Sequence, residues 1–233
     1  YTPSPMGSVP LKRVGGLARA ASVLCVLTAA CGVGGVLTTY ASRDEARAYR
    51  AGDVSDTKFL ESIAAYSLVQ VVASIFTIAT AVVTIIWAFR IASNHRTLHR
   101  GTTWGPGWAI GGWFTPPFVW VIPTLMFREM WKASDPDVPV GGDWKSRPSS
   151  PLPLLWFVLY GVIPFVLLVA EIGDAFGSLD NTAEQVADQI LGSQTLAIVG
   201  VVATIASAVV FVLFVRGLTD RHRRLTGEAV SAR

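Results

Sequence analysis

The chain has 233 residues, of which 52% are hydrophobic and only 15% are charged, and its formal net charge is +3. Soluble domains carry about 25% charged residues, so this composition argues against an ordinary soluble domain and for a protein that meets lipid. The chain begins at Tyr1 rather than at a methionine, which suggests that upstream residues were processed or not included.

Four apolar runs are long enough to cross a bilayer as helices: 14–40, 63–89, 152–170 and 196–215. About 20 apolar residues cover the hydrocarbon core, and no acidic or basic group lies deep inside any run. Arg19 lies near the start of the first run, where its long side chain can reach the interface. We predict an all-α integral membrane protein with four transmembrane helices.

The two cysteines, Cys25 and Cys31, both lie in the first run. Six residues apart on one helix they face different directions and cannot pair, so we interpret them as small packing residues. A bacterial lipoprotein signal that ends at Cys31 is an alternative. Thr28 occupies a position where such signals prefer a branched aliphatic residue, and the apolar run continues to Leu37, so a full span is favoured.

A fifth apolar stretch, Trp104 to Trp131, is interrupted by Pro116, Pro117 and Pro123. Proline removes a backbone donor and clashes with the preceding turn, so one helix is not expected to run through 112–123. Tryptophan prefers the membrane–water boundary. We therefore predict an interfacial or re-entrant segment between the second and third helices, whose tryptophans contact the interface or a partner: Trp104, Trp108, Trp113, Trp120 and Trp131.

Basic residues in short loops mark the cytoplasmic side of a membrane protein. They are concentrated before the first run, between the second and third, and after the fourth, whereas the loop between the third and fourth runs is purely acidic. Both termini are therefore predicted to be cytoplasmic, in a multi-pass protein of the bacterial inner (plasma) membrane.

This topology divides the chain into five predicted regions. They are a flexible Pro/Ser-rich N-terminal segment (1–13), helices 1 and 2 with an external loop (14–101), a cytoplasmic-face interfacial segment and loop (102–150), helices 3 and 4 with an acidic external loop (151–215), and a basic cytoplasmic tail (216–233).

Chemistry-bearing motifs are scarce. His95 and His99 are four residues apart and would share a helix face, but no third ligand lies nearby, so we interpret them as a solvated helix end. No ionisable residue lies deep in a span, where transporters and intramembrane enzymes place them. We predict no catalytic residues, no metal and no cofactor, and a protein that is not an enzyme.

Two further residue sets concern contacts. Small residues recur every four positions on the second and fourth spans and are predicted to permit close helix packing: Ala73, Thr77, Ala81, Gly200, Thr204 and Ala208. Arginines near the spans are predicted to contact anionic lipid rather than nucleic acid: Arg96, Arg100, Arg221, Arg223 and Arg224.

Residues 87–135 carry a family resemblance. The matching elements are Trp87, Arg90, Asn94, Pro106-Gly107-Trp108-Ala109, Gly112-Trp113-Phe114, Pro116, Pro123 and Glu129-Met130-Trp131-Lys132-Ala133-Ser134. This pattern resembles an uncharacterised actinobacterial membrane family, domain of unknown function 4328. The resemblance implies no activity.

Two functions fit these observations. The favoured one is a non-catalytic accessory subunit that docks on, assembles or stabilises a larger membrane protein complex, in contact with anionic membrane lipids. The alternative is a lipid- or small-molecule-handling membrane protein with a site lined by the re-entrant segment 104–131.

Overall fold

The computed structural model describes residues 10–116, 118–119, 121–139, 141–167, 182–192 and 194–228, and within these ranges the regular structure is helical, with no strand. The helices are α1 (Gly15–Ala41), α2 (Arg43–Arg50), α3 (Asp56–Ser62), α4 (Ala64–Thr97), α5 (Trp108–Gly111, continued by a 3-10 turn at Gly112–Phe114), α6 (Val121–Ala133), α7 (Leu152–Leu167, with a π-helical stretch at Phe157–Val162), α8 (Thr182–Leu191) and α9 (Gln194–Thr226).

Three of these helices are long and apolar enough to cross a membrane: α1 with 27 residues, α4 with 34 and α9 with 33. They match the first, second and fourth predicted runs to within one residue at the N-terminal end of the first two, which confirms an all-helical, membrane-like protein. Helices α4 and α9 continue past their apolar runs into the basic stretches 90–97 and 216–226. The third run is a shorter helix as far as Leu167, and residues 168–181 lie outside the described ranges, so the fourth span stays a prediction.

The proline-rich stretch is broken as predicted. Helix α5 and its 3-10 turn end at Phe114, the described residues 115, 116, 118 and 119 are not helical, and α6 begins at Val121. Pro123 lies in the first turn of α6, where a missing backbone N–H removes no intrahelical hydrogen bond. No single helix therefore runs through the described part of 104–131.

The chain divides into two compact units. The first contains the chain up to Ser22, Ala81–Leu154 and the chain from Phe211, and the second contains Val23–Thr80 and Leu155–Val210.

In the second unit, helices α2, α3 and α8 pack around one apolar cluster. Tyr49 stacks on Phe59 with ring centroids 4.6 Å apart. A guanidinium Nη2 of Arg43 donates to the carbonyl of Leu191 at 3.2 Å, where a cation complements the end of α8. The two segments predicted only as external loops thus contain helices, which share one apolar core with the start of α4: Ala46, Tyr49, Phe59, Ile63, Tyr66, Ala183, Ala187 and Ile190.

Two glycines of the second unit lie beside side chains of a neighbouring helix. A Cβ at Gly32 of α1 would meet Val201 at 3.4 Å and Thr204 at 4.0 Å, and one at Gly200 would meet Leu167 at 3.6 Å. These are ordinary van der Waals distances, so close packing through the small residues stays a prediction.

In the first unit, the ends of α4, α6 and α9 surround an aromatic core. The Trp87 ring lies 6.0 Å from Phe127 and 6.3 Å from Phe214, and Phe127 and Phe214 are 5.2 Å apart. The indole N–H of Trp87 donates to the hydroxyl of Thr219 at 3.1 Å, which satisfies a polar group that burial would otherwise leave unpaired.

Candidate functional site

The end of α4 directs a buried arginine into the first unit. His99 has a φ of 55°, and the backbone N–H groups of His99 and Arg100 donate to the carbonyls of Arg96 and His95. These two bonds form a Schellman C-cap, and His99 occupies the left-handed position that is usually a glycine. The chain therefore leaves the helix axis at His99, and the Arg100 side chain turns inward.

Arg100 holds the chain that follows α6. It is only 5% exposed, and its guanidinium donates to the backbone carbonyls of Ala133 at 3.1 Å, Asp135 at 2.6 Å and Val138. Since Ala133 is the last residue of α6, the cation also complements the negative end of that helix.

The Asp135 carboxylate joins three segments of the first unit. Arg147 contacts it at 2.9 Å and Arg221 at 3.0 Å, and the backbone N–H of Asp137 donates to it at 3.0 Å. Burial alone would raise the pKa of Asp135, but these hydrogen bonds and cations hold it below its usual value.

Asn94 of α4 has a fixed orientation. Its Oδ1 accepts the backbone N–H of Lys12 at 2.8 Å, and its Nδ2 donates to the Lys12 carbonyl at 2.8 Å. A backbone N–H only donates and a carbonyl only accepts, so the amide cannot be reversed. The second Nδ2 hydrogen points to Nε2 of His222, 3.0 Å away.

This orientation determines the protonation of His222. Because Nε2 accepts from Asn94, the neutral ring carries its proton on Nδ1 and donates it to Ser134 Oγ, 3.3 Å away. The Ser134 hydroxyl also meets Nε2 of His95 at 2.9 Å. A chain of buried polar groups thus links α4, α6 and α9, and we call Asn94, His95, Ser134 and His222 the histidine network.

Both histidines favour the neutral form. They lie beyond the apolar runs of α4 and α9, and both are fully buried. Burial lowers the pKa of His222 to about 4, although Glu228 opposes the shift. Burial, then His222 and Arg100, lower the pKa of His95 well below its usual value. A second proton on His222 would bind at Nε2 and face the Nδ2 hydrogens of Asn94. Two donors would then oppose each other, and the Asn94–His222 hydrogen bond would be lost.

The histidine network is closed to substrates in this conformation. A serine beside an imidazole is the pairing that an activated nucleophile needs, but Ser134, His95 and His222 all have 0% exposure. A substrate could reach the Ser134 hydroxyl only if α4, α6 and α9 separated. Nδ1 of His95 is buried without a hydrogen-bond partner among the described residues, and these residues include no group of three or more metal-ligating side chains.

A shallow groove lies on the other side of α6. It has a volume of about 250 Å³ and is lined by Trp104, Leu125, Arg128, Glu129, Lys132, Trp144 and Lys145. The backbone N–H of Trp104 donates to Glu129 at 3.2 Å, which fastens the segment before α5 to α6. We call this feature the α6 groove.

Helix α4 exposes a face of small and polar residues. They follow a three–four spacing, as in the seam of a helix pair, and all five are exposed: Ser67, Gln70, Ser74, Thr77 and Ala81. The hydroxyls of Ser74 and Thr77 donate to carbonyls of their own helix at 2.9 and 2.8 Å. The Gln70 amide makes no hydrogen bond among the described residues. We call this face the α4 seam.

The predicted contact residues have different surroundings. Trp108 is 42% exposed and lies edge-on to Trp104. Trp113 packs edge-on against Phe127 in the first unit, and Trp120 lies outside the described residues. Trp131 is stacked with Phe214 and covered by Arg221, whose guanidinium lies 4.9 Å from the ring centre.

The predicted arginine and small-residue sets are also divided. Arg100 and Arg221 bind groups inside the first unit, Arg223 is partly buried, and Arg96 and Arg224 are exposed. Lipid contact by this set stays a prediction. Of the small residues, Thr77 and Ala81 are exposed on α4, Ala73 is partly buried, and Ala208 is buried.

The expectation for the helix end at His95 and His99 is wrong. Only His99 is exposed, because the chain has already left the helix there, whereas His95 is buried beside His222 with ring centroids 5.1 Å apart. Sequence reasoning missed Asn94, Ser134 and His222 as one network. Asn94 and Ser134 did appear among the residues that carry the family resemblance, which was the only signal for them.

Comparison with known proteins identifies the family. A family model described as a domain of unknown function (DUF4328) matches residues 50–220, which is most of the chain, so the protein belongs to this family. No curated protein matches the chain. No solved structure matches it either.

Proposed function

We propose that this DUF4328 protein is a non-catalytic accessory subunit that docks on a larger membrane protein complex through the α4 seam. It spans the bacterial plasma membrane four times with both termini in the cytoplasm. The observation that carries the proposal is the exposed Gln70 amide, two turns inside an apolar helix, without a hydrogen-bond partner among the described residues.

The physical argument is the cost of a polar group in lipid. An amide that faces hydrocarbon has no water to bind, and its unmet hydrogen bonds cost several kcal/mol. Ser74 and Thr77 avoid this cost because their hydroxyls bind their own helix. Gln70 has no such internal acceptor, so a polar side chain on a neighbouring protein is the group that would satisfy it.

The shape of the seam supports the same proposal. Beyond Gln70 its side chains are short, so a second helix could approach the backbone closely from Ser74 to Ala81, over about two turns. The stripe beside it, one residue further along, is aliphatic and 50–65% exposed, as expected of a lipid-facing surface: Leu68, Val71, Ile75, Ile78 and Val82. One helix thus presents both a surface suited to lipid and a surface suited to a protein.

Affinity purification in a mild detergent tests this function. The wild-type protein should retain a larger membrane protein at a fixed stoichiometry. Gln70→Leu combined with Thr77→Leu should release it, because the amide is removed and the seam is filled. Ile78→Leu on the aliphatic stripe is the matched control and should retain it.

The opposing outcomes are equally clear. A wild-type protein that purifies alone, or a partner that survives the double substitution, would reject docking through the seam. All variants are first compared by membrane insertion and by monodispersity in detergent, so that misfolding is not mistaken for lost binding.

A further inference from the structure

The α6 groove carries more positive than negative charge. Arg128, Lys132 and Lys145 line it together with a single carboxylate, Glu129. None of the three cations is within ion-pair distance of a carboxylate among the described residues. Each has a neutral neighbour instead: Arg128 donates to Ser149 Oγ at 3.4 Å, Lys132 donates to the Lys145 carbonyl at 3.2 Å, and the Lys145 ammonium lies 5.7 Å from the Trp144 ring centre.

The groove also has an apolar side. Trp104, Trp144 and Leu125 line it, so a ligand there would meet rings and an aliphatic chain as well as cations. Cations alone would suit any phosphate. Cations beside an apolar wall suit a phosphate that is attached to an apolar body.

The exposed line along α6 changes from apolar to cationic. Val121 and Leu125 are 39% and 38% exposed, and Arg128 and Lys132 follow on the same side, three or four residues apart each time. From Val121 to Lys132 the helix rises about 16 Å, which is long enough to reach from the acyl chains of one leaflet to its headgroups, since a leaflet with its headgroups is about 20 Å thick.

The residues before α6 extend the apolar end of this line. In α5, in its 3-10 turn and in the residues that follow, large side chains are exposed: Trp108 at 42%, Ile110 at 45%, Phe114 at 72% and Phe118 at 52%. Such a surface is suited to the interfacial zone of a bilayer, where aromatic rings are favoured.

We propose that the α6 groove binds one anionic phospholipid of the cytoplasmic leaflet. Arg128, Lys132 and Lys145 contact its phosphate and headgroup, Trp104 and Trp144 enclose the glycerol region, and the acyl chains follow Leu125 and Val121. Glu129 fixes Trp104 through the Trp104 backbone N–H and at the same time weakens the attraction for anions.

This inference rests on the cytoplasmic seating of the 104–131 segment but not on a protein partner. The sequence predicts, as an alternative function, that this segment lines a lipid or small-molecule site, and the inference names an anionic phospholipid as the ligand. The experiment uses the isolated full chain, so failure of lipid binding and failure of partner docking are distinguishable.

Native mass spectrometry of the purified protein, with phosphatidylglycerol or phosphatidylcholine added to the detergent, is the test. The wild-type protein should retain one phosphatidylglycerol in preference to phosphatidylcholine. Lys132→Gln should weaken retention about five-fold, and Lys132→Gln with Lys145→Gln by about that factor again, because each cation near an anionic headgroup contributes a similar increment. Lys58→Gln, at an exposed position of α3 in the second unit, is the matched control and should bind as the wild type does.

Glu129→Gln is the opposite test, since it removes the one negative charge and keeps an oxygen that can accept from Trp104. It should increase phosphatidylglycerol retention. Because a gain cannot come from misfolding, this variant keeps the inference falsifiable if the lysine variants are unstable.

Three results would overturn the inference. Equal retention of the two lipids would show that charge does not select the ligand. If Lys58→Gln lost as much phosphatidylglycerol as Lys132→Gln, binding would depend on the overall charge of the protein rather than on the groove. Displacement of the lipid by inorganic phosphate at a similar concentration would show a site for free phosphate rather than for lipid.

Discussion

At the residue scale, the most constrained atoms belong to the histidine network. The backbone of Lys12 orients Asn94, Asn94 sets the proton of His222, and His222 meets Ser134. Each bond determines the next because amide, carbonyl and neutral imidazole groups have fixed donor and acceptor atoms. The network therefore keeps all of these hydrogen bonds only while the His222 imidazole is neutral.

Acid should weaken the fold of the first unit through these histidines. An unfolded histidine has a pKa of 6.5, whereas His222 has a pKa of about 4 in the folded protein, so the unfolded state binds more protons between these values. The stability contribution is complete above about pH 6.5 and is lost as the pH falls toward 4. From about pH 7.5 to about pH 5, His222 alone should lower the free energy of unfolding by roughly 2 kcal/mol.

Thermal unfolding in detergent across this range measures the effect. His222→Gln should reduce the fall in unfolding temperature as the pH decreases, and part of the fall should remain because His95 also titrates. His99→Gln, at an exposed position, should keep the wild-type slope. The other charged groups that act on the pair are Arg100, which lowers the pKa of His95, and Glu228, which opposes the lowering of the pKa of His222. An unchanged slope in His222→Gln would contradict this account.

The network could not be read from the sequence. Asn94 and His222 are 128 residues apart, and no local pattern pairs such distant positions. The spacing of His95 and His99 was misleading for a different reason. A shared face for the two histidines requires a helix that continues to His99. The helix ends before His99, which adopts the left-handed conformation that glycine or asparagine usually provides.

At the element scale, the hairpin of α5 and α6 depends on one close backbone approach. A Cβ at Gly112 would lie 2.7 Å from Cγ2 of Ile122 and 3.4 Å from its Cβ, whereas one at Gly111 would meet nothing within 4 Å. Both residues have helical dihedral angles, so neither needs glycine for its conformation.

Gly112→Ala should therefore destabilise the protein while Gly111→Ala should not. The overlap is with a branched carbon near the α6 backbone, which cannot move away freely, and overpacking of this kind costs about 1–3 kcal/mol. Thermal unfolding of the two variants measures the difference. Ile122→Ala should restore part of the loss in Gly112→Ala, and an equal effect of both alanine variants would disprove the close approach.

The helices themselves were largely predictable. Apolar runs of 20 or more residues specify α1, α4 and α9, because only a helix satisfies backbone groups over such a length in lipid. The prolines correctly predicted the break between α5 and α6. Helices α2 and α3 were not predicted, since their core combines Tyr49 and Phe59 with residues of α8 that are far away in the chain.

At the scale of the whole molecule, the protein has polar chemistry at places where a lone membrane helix would have none. The histidine network lies sealed inside the first unit, and the α4 seam lies exposed. The first joins helices of that unit, and we propose that the second contacts a neighbouring protein. From this contrast we infer a subunit rather than an enzyme. The family match carries no activity and is therefore compatible with the proposal.

Photo-cross-linking in intact membranes tests this central claim most directly. A photoreactive residue placed at Ser74, in the α4 seam, should form a covalent adduct with a different and larger membrane protein. The same residue at Ile75, the next position on the helix and 58% exposed, should label lipid instead. A cross-link from Ser74 only to lipid, to its own chain or to a second copy of this chain would contradict the accessory-subunit account.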